Sequence, residues 1–270
     1  MNMSGVLDRI NKPNAAPGDY TGEDGLLYCG KCHTPKQALG IGILEGKRLT
    51  VTCDCQKKAI AAEKEQARIK EIEDLREKCI HSEATRGHTF AKADDLDEKH
   101  IKNAKRYVDH WDEIRRKNAG LLFWGNTGSG KSFAAHCIAN ALLDQKIPVK
   151  LFSAEELAEL LKDYSKRADT MKSIREVPLM IIDDFGAEED KSGARSRICA
   201  AIDARIESGK PLIVTTNYTI GEMKENQDRV LQRIFDRLLA FCVPVAVVGE
   251  SRRRNIGEEN RRFIQELFES

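Results

Sequence analysis

Short apolar runs alternate with longer amphipathic stretches along the chain from about residue 81 onward. The stretches between the runs are long enough for helices, which parallel strands need as crossover connections. The pattern therefore predicts an α/β fold in which helices sandwich a parallel sheet. The runs, each bounded by turn-forming residues, cover residues 120–125, 149–153, 178–183, 211–217 and 243–249.

The first 80 residues follow a different pattern. Residues 1–55 show little periodicity and hold every close cysteine pair. Residues 56–80 contain no Gly or Pro, and their apolar residues, such as Ile69 and Ile72, recur at helical spacing. We interpret this segment as a solvated linker helix, and a helix that binds a partner is the alternative. The predicted organisation is a small module over residues 1–55, a helical linker over residues 56–80 and an α/β domain over residues 81–270.

Composition and charge narrow the cellular setting and the partners. The 270 residues include 44 Lys or Arg against 43 Asp or Glu, so the whole chain offers no strong attraction for duplex DNA or an anionic membrane. The start of the chain lacks the apolar core of a signal peptide, and no run approaches the ~18 apolar residues of a membrane span. We therefore expect a cytoplasmic protein without membrane contact, in which the eight cysteines are reduced.

A phosphate-binding loop follows the first apolar run. Its residues match the pattern G-x-x-x-x-G-K-[ST] and are Gly125, Asn126, Thr127, Gly128, Ser129, Gly130, Lys131 and Ser132. Glycines let consecutive backbone N–H groups turn towards a phosphate, and the following helix adds its positive end. Lys131 is predicted to reach the β- and γ-phosphates of ATP, and the Ser132 hydroxyl to bind Mg²⁺. A glycine-rich turn without a ligand is the alternative, and the complete motif argues against it.

Polar residues end two of the later apolar runs. Asp183 is predicted to hold Mg²⁺, and Asp184 to polarise the attacking water as general base. The alternative is that both acids only cap the next segment. Asn217 ends a later strand, and its amide is predicted to orient the same water. A simple turn asparagine is the alternative there.

Two groups of arginines follow. One arginine of the predicted helix at residues 229–237 would act as a finger that reaches the γ-phosphate in a neighbouring subunit. The run Arg252, Arg253, Arg254 follows the last strand and would supply an arginine to the nucleotide of its own subunit. Solvated surface charge is the alternative for each of them.

Four cysteines form a C-x₂-C pair and a C-x-C pair. Cys29 and Cys32 with Cys53 and Cys55 can close a tetrahedral Zn²⁺ site at this spacing. So short a segment has little apolar surface, and a metal would supply folding energy. His33 in place of one cysteine, and a redox pair in place of a metal site, are the alternatives.

The order of these features resembles bacterial and phage replicative-helicase loaders of the DnaC/DnaI type, which are AAA+ ATPases. The resemblance covers nearly the whole chain and rests on the cysteine cluster, the charged linker and the sequences GNTGSGKS, LMIIDDFG, IVTTN, FDRL and GESRRR. It implies an AAA+ P-loop NTPase preceded by a zinc-binding module that grips the hexameric ring of the replicative DNA helicase. It also implies ATP or ADP with Mg²⁺ as cofactor, binding of single-stranded DNA, and self-association on the helicase.

The same resemblance implies roles for individual residues. Asn217 becomes the first sensor, Arg237 the finger that acts in trans, and Arg253 the second sensor. Arg205 resembles a recurrent arginine of the family, without an assigned role. No aromatic and basic cluster marks a platform for single strands. The basic stretch at residues 162–175 is our hypothesis for the DNA contact, and a salt-bridged surface helix is an equal alternative.

Together these features predict an ATP-dependent loader that places the replicative helicase on single-stranded DNA, with nucleotide binding and hydrolysis as the switch. A transposition helper ATPase that acts on duplex DNA is the main alternative, and the cysteine module argues against it. An initiator that recognises an origin is a weaker one. A zinc-based scaffold with a degenerate nucleotide site is an alternative from a different class, and the intact Lys131, Asp183 and Asp184 argue against it.

Overall fold

A computed structural model describes residues 15–80, 82–96, 98–186, 193–249 and 261–268. The chain divides into two compact units, Met1–Glu71 and Ile72–Ser270, and the boundary falls inside helix α1 (Asp54–Cys79). This helix begins ahead of the linker predicted at residues 56–80, so the second half of the C-x-C pair lies in its first turn. The predicted division into three parts stays a prediction.

The first unit contains two small antiparallel sheets and little apolar core. Its strands pair β1 with β2 and β3 with β4, and their bounds are Tyr20–Thr21, Leu27–Tyr28, Gln37–Leu39 and Arg48–Thr50. Among the described residues of this unit, the apolar side chains that are buried are the thiols of Cys29 and Cys53. Burial of apolar surface therefore contributes little to the stability of this unit. A domain with so small a core usually needs a further stabilising element, such as a bound metal.

One buried ion pair fixes the start of the first unit. Lys36 Nζ lies 2.6 Å from Asp19 Oδ2, and each side chain is only 4% exposed. The backbone amides of Ala16 and Gly30 also donate to the Asp19 carboxylate. The hydrogen bonds from Ala16, Lys36 and Gly30 lower the pKa of Asp19 to about 2. The carboxylate therefore stays ionised and ties the turn at residue 16 to the first cysteine pair.

The second unit is built on a five-stranded parallel sheet. Its strands lie in the order Val149–Ser153 (β6), Leu179–Phe185 (β7), Leu212–Thr216 (β8), Gly120–Trp124 (β5) and Cys242–Ala246 (β9). Three helices precede the sheet, α2 (Glu83–Arg86), α3 (Lys99–Asp109) and α4 (Trp111–Lys117). The bounds of the following elements are β5 Gly120–Trp124, α5 Lys131–Asp144, β6 Val149–Ser153, α6 Ala154–Lys162, α7 Tyr164–Glu176, β7 Leu179–Phe185, α8 Ala194–Glu207, β8 Leu212–Thr216, α9 Ile220–Lys224, α10 Arg229–Phe241 and β9 Cys242–Ala246. Residues 261–268 are helical.

Alternate residues of the strands pack into two separate cores, one on each face of the sheet. Leu122 and Ile182 belong to the core that α6, α7, α8 and α10 cover. Their neighbours Phe123 and Ile181 belong to the core that α3, α4 and α5 cover. Because both faces are buried, the strands are continuous apolar runs rather than alternating ones. The predicted α/β fold, with helices on both faces of a parallel sheet, is confirmed.

The basic stretch at residues 162–175, predicted as helical, is interrupted at Asp163, where α6 ends and α7 begins. The Asp163 side chain accepts a hydrogen bond from the amide of Ser165 and so caps α7. Lys166 and Arg167 are exposed in the first turn of α7. That these residues face DNA stays a prediction.

Arg205 lies in α8 and is fully buried. Its guanidinium donates hydrogen bonds of 2.6–3.1 Å to the backbone carbonyls of Ile174, Val177, Pro178 and Pro211. Burial lowers the pKa of Arg205 to about 10, so the group remains charged at neutral pH. An unpaired buried carbonyl costs about 1–3 kcal/mol. Arg205 is therefore a structural residue that joins the end of α7 to the starts of β7 and β8.

Among the residues described, no helix combines the length and the apolarity that a membrane crossing requires.

Candidate functional site

The predicted phosphate loop connects the end of β5 to the start of α5. Gly125, Gly128 and Gly130 all have positive φ angles, of 140°, 81° and 102°. A Cβ at Gly125 would also lie 2.2 Å from the carbonyl oxygen of Val247, so glycine is required there on both grounds. No side chain caps the start of α5, which leaves its first amides directed into the loop. This geometry suits an anion such as a phosphate.

Lys131 lies inside the loop and contacts Asn217, the residue that follows β8. Its Nζ donates to the carbonyls of Gly125 at 3.0 Å and Asn126 at 2.7 Å, and to Asn217 Oδ1 at 2.8 Å. Asn217 Nδ2 lies 3.4 Å from Asp184 Oδ1. Three predicted site residues, from α5, the end of β7 and the end of β8, thus meet at the carboxyl edge of the sheet.

A cavity of about 330 Å³ opens beside this group. Its size suits part of a small-molecule ligand. The residues that line it are His88, Lys92, Asp94, Thr127, Gly128, Gly130, Lys131, Ser132, Phe133, Asp184 and Asn217.

Asp183 is held by hydrogen bonds to both of its carboxylate oxygens. Thr215 Oγ1 donates to Oδ1 at 2.6 Å, and His136 Nε2 lies 3.1 Å from Oδ2. Burial by itself raises the pKa of Asp183, but the hydrogen bonds from His136, Thr215 and Ser132 outweigh it, so the pKa lies below its ordinary value. An ionised carboxylate beside the Ser132 hydroxyl is a donor set that Mg²⁺ accepts. The pair predicted to hold Mg²⁺ is therefore brought together.

Asp184 adopts a backbone conformation that is unusual for a non-glycine residue. Its φ is 56°, in the left-handed region, and the pairing of β7 with β8 shifts register between Ile182 and Phe185. The amide of Asp184 donates to Thr215 Oγ1 at 2.8 Å, which holds this turn of the backbone. Such strain costs about 1–3 kcal/mol and is concentrated at functional sites. Its effect here is to place the Asp184 side chain at the wall of the cavity.

Two histidines at the site were not predicted. His136 stands among small residues in α5, and His88 lies in an irregular segment after α2, so neither follows a motif. A histidine within the largely apolar sequence AAHCIANAL was a signal for His136. Thr215, which binds both Asp183 and Asp184, was read only as part of a strand.

Arg237, predicted to act on the nucleotide of a neighbouring subunit, is not among the described residues that line the cavity. Arg237 pairs with Asp203 at 2.5 Å, and Arg233 pairs with the same carboxylate at 3.0 Å. Both lie on α10 and are partly exposed. Arg253 and its neighbours Arg252 and Arg254 lie outside the described residues.

The four predicted cysteines form one cluster in the first unit. Their Sγ atoms all lie within 4.8 Å of one another, and Cys55 is 3.5 Å from Cys29 and 3.4 Å from Cys53. In a tetrahedral site with Zn–S bonds of about 2.3 Å, neighbouring sulfurs lie about 3.8 Å apart. The donor set therefore fits Zn²⁺. His33 is not part of the cluster. Its Nδ1 lies 3.2 Å from the hydroxyl of Tyr20 instead.

Hydrogen bonds prepare part of this cluster for a cation. The Thr34 hydroxyl, first among several donors, lowers the pKa of Cys32 to about 5. The amides of Cys32 and Lys31 lower the pKa of Cys29. Hydrogen bonds with Cys53 and Cys29 instead raise the pKa of Cys55 to about 12. Adjacent thiolates repel one another, so full ionisation of the set requires a positive ion between them.

A parallel sheet with a phosphate loop after its first strand, and an acidic pair at the end of another strand, defines a P-loop nucleotide-binding fold. Residues 56–259 match the family described as IstB-like ATP binding protein, and the chain belongs to this family. The ligand in that description agrees with the phosphate loop and its cavity.

Two sequence relatives are replicative helicase loaders. DnaI of Bacillus subtilis (strain 168) is 24% identical over 182 residues, which cover 62% of this chain and 58% of DnaI. DnaC of Escherichia coli (strain K12) is 25% identical over 143 residues, which cover 51% of this chain and 56% of DnaC. The resemblance to loaders is thus confirmed, over little more than half of each relative's length.

Two solved structures share the fold. The crystal structure of the DnaC helicase loader aligns with a TM-score of 0.54 at 19% identity, over 62% of this chain and 100% of that one. The crystal structure of DnaI aligns with a TM-score of 0.52 at 21% identity, over 63% of this chain and 93% of that one. At such identities these matches establish the fold alone.

Proposed function

We propose that this chain is an ATP-dependent loader, which binds a ring-shaped replicative DNA helicase and places it on single-stranded DNA. The observation that carries the proposal is the meeting of Lys131, Asp184 and Asn217 at one edge of the sheet, in a chain that also has a four-cysteine module. The names of the two sequence relatives, both replicative helicase loaders, support the choice of the helicase as partner. Nucleotide binding and hydrolysis act as the switch between gripping and releasing the helicase.

In this proposal the loop and its neighbours perform ATP hydrolysis. Lys131 and the first amides of α5 hold the β- and γ-phosphates, while Ser132 and Asp183 hold Mg²⁺. When bound, Mg²⁺ neutralises charge that develops on the phosphates. Asp184 accepts the proton of the attacking water, and Asn217 orients that water.

Arginines complete the site in the assembled form. Arg237 would reach the nucleotide of a neighbouring copy once it leaves Asp203, and there it would stabilise negative charge in the transition state. Arg253 would contact the nucleotide of its own copy. Hydrolysis would then depend on the association of subunits on the helicase.

The module at residues 1–55 would contact the helicase in this proposal. Cys29, Cys32, Cys53 and Cys55 would hold Zn²⁺, which gives a small segment a rigid surface. The linker at residues 56–80 would connect that surface to the ATPase domain. In this proposal, one part of the chain binds the helicase and another binds and hydrolyses the nucleotide.

Native mass spectrometry tests the proposed partner. The chain is mixed with the replicative helicase of its own source, ATP and Mg²⁺, and we expect a complex of loader and helicase. A variant limited to residues 56–270 should lose the complex, yet still bind a fluorescent ATP analogue, which shows that its ATPase domain is folded. If the full chain forms no complex, the loader proposal fails, and a transposition helper that binds duplex DNA becomes the better account.

Fluorescence anisotropy with a labelled oligothymidine tests the proposed DNA contact. We expect the Lys166→Glu, Arg167→Glu variant to bind about tenfold or more weakly at low salt, because two cations become anions beside the phosphates. The matched control is Lys105→Glu, Arg106→Glu, which reverses an exposed Lys-Arg pair on α3. Equal losses in both variants would point to general charge rather than to α7.

A further inference from the structure

A row of hydrogen-bonded side chains leads from the cavity wall to Asp183. His88 lines the cavity, and its Nδ1 lies 2.9 Å from His136 Nδ1. On the other side of the ring, His136 Nε2 lies 3.1 Å from Asp183 Oδ2. His136 is only 6% exposed, because it belongs to a helix packed in the core. A polar ring in that position needs partners for both nitrogens, and it has them.

The two imidazole rings are aligned for this hydrogen bond. Their planes differ by 9° and their centroids are 5.1 Å apart. That separation is about the 2.9 Å between the Nδ1 atoms plus two ring radii, so the nitrogens face each other along the ring plane.

One assignment of protons satisfies the hydrogen bonds of all three groups. An ionised Asp183 only accepts, so His136 carries its proton on Nε2. Its Nδ1 is then an acceptor, and His88 donates to it from Nδ1. The outer hydrogen bond therefore fixes the tautomer and the orientation of His136.

Backbone contacts hold the two histidines at this distance. Asn140 Nδ2 donates to the carbonyls of Thr85 and His88 at 2.9 Å, and to the carbonyl of His136 at 3.1 Å. Asn140 is 1% exposed. The segment that bears His88 is thus attached to α5 by a buried amide, one turn beyond His136.

We propose that His136 is a positioning residue, which with His88 behind it orients the Asp183 carboxylate for the metal ion. The inference rests on the proposed function, in which Asp183 holds Mg²⁺. Thr215 fixes the other carboxylate oxygen, so the carboxylate is held from both sides. Outer partners of this kind commonly contribute 10–100-fold to metal affinity. The phosphate-loop motif ends at Ser132, so it does not include His136.

Two amide substitutions separate positioning from packing. In His136→Gln the side-chain amide nitrogen reaches about as far as Nε2, so it can still donate to Asp183. In His136→Asn the amide nitrogen stands nearer the place of Nδ1, so it faces His88 and falls short of Asp183. Both variants are polar and smaller than or close to histidine in size, and thermal unfolding checks that each is folded. His136→Leu, which fills the space without polar atoms, is a further variant.

The readout is Mn²⁺ binding to the complex of protein and ADP, followed by electron paramagnetic resonance. We expect His136→Asn and His136→Leu to raise the dissociation constant of Mn²⁺ about 10–100-fold, and His136→Gln to remain within a few-fold of the wild type. ADP affinity without metal should be unchanged in all of them. Wild-type Mn²⁺ affinity in the Asn and Leu variants would overturn the inference. If the wild-type protein itself binds neither ADP nor Mn²⁺, the proposed function fails instead.

Discussion

Replacement of Lys131 by Ala is expected to lower the affinity for ATP about 10–100-fold and to reduce hydrolysis about 100- to 1,000-fold. Lys131 is the one cation whose Nζ lies within the loop, bonded to two loop carbonyls and to Asn217, among the residues described. A charged hydrogen bond to a phosphate is stronger than a neutral one, and it strengthens further as charge moves onto the γ-phosphate. The loss should therefore be larger in the rate than in binding.

Titration calorimetry with ATP and Mg²⁺ measures the first effect, and phosphate release in the presence of helicase and single-stranded DNA measures the second. Lys105→Ala, on the exposed side of α3, is the matched control and should behave as the wild type. Unchanged ATP affinity in Lys131→Ala would remove the loop from nucleotide binding. A variant that loses hydrolysis but still loads helicase normally would show that the nucleotide is not the switch.

Removal of zinc is expected to unfold the first unit and to leave the second one intact. The reason is the small apolar core, in which the described buried apolar side chains are two of the four cysteines themselves. Structural zinc commonly contributes about 10–16 kcal/mol to small domains, which exceeds what such a core can supply. Cys53→Ser should have the same effect, because Cys53 is 1% exposed and is one of the four clustered cysteines.

Hydrogen exchange with mass spectrometry locates this effect along the chain. After chelation, or in Cys53→Ser, exchange should become fast at residues 15–53 and stay slow in the strands of the second unit. Elemental analysis should give one zinc per wild-type chain. Cys199→Ala, a buried thiol in α8 outside the cluster, is the control and should keep its zinc. Slow exchange in the first unit after complete loss of metal would show that zinc does not hold it.

The sheet and the phosphate loop were predictable because local sequence determines them. Strands buried on both faces must be continuous apolar runs, and the loop requires its glycines in a fixed order. The short strands of the first unit, of two or three residues each, carry no periodicity that a pattern can detect. There the cysteines were the informative residues, because a metal bound by them would replace the missing apolar core.

Other features of the site depend on contacts between distant parts of the chain. His88 meets His136 across 48 positions, and His136 meets Asp183 across 47. The turn of the backbone at Asp184 depends on a hydroxyl 31 positions away, on Thr215. No spacing rule links such residues, so the sequence predicted Asp183 as a metal ligand but not the side chains that contact it.

Arg205 illustrates how the fold can require a particular residue that takes no part in the proposed hydrolysis. Its guanidinium binds backbone carbonyls, which every residue type provides, and it binds no acidic side chain. The positions around it are therefore free to vary among relatives, because any amino acid offers the same acceptor. Arg205 has no such freedom, because no other side chain places five N–H groups in one plane. We therefore expect relatives that keep this junction to keep an arginine at this position, whatever residues surround it.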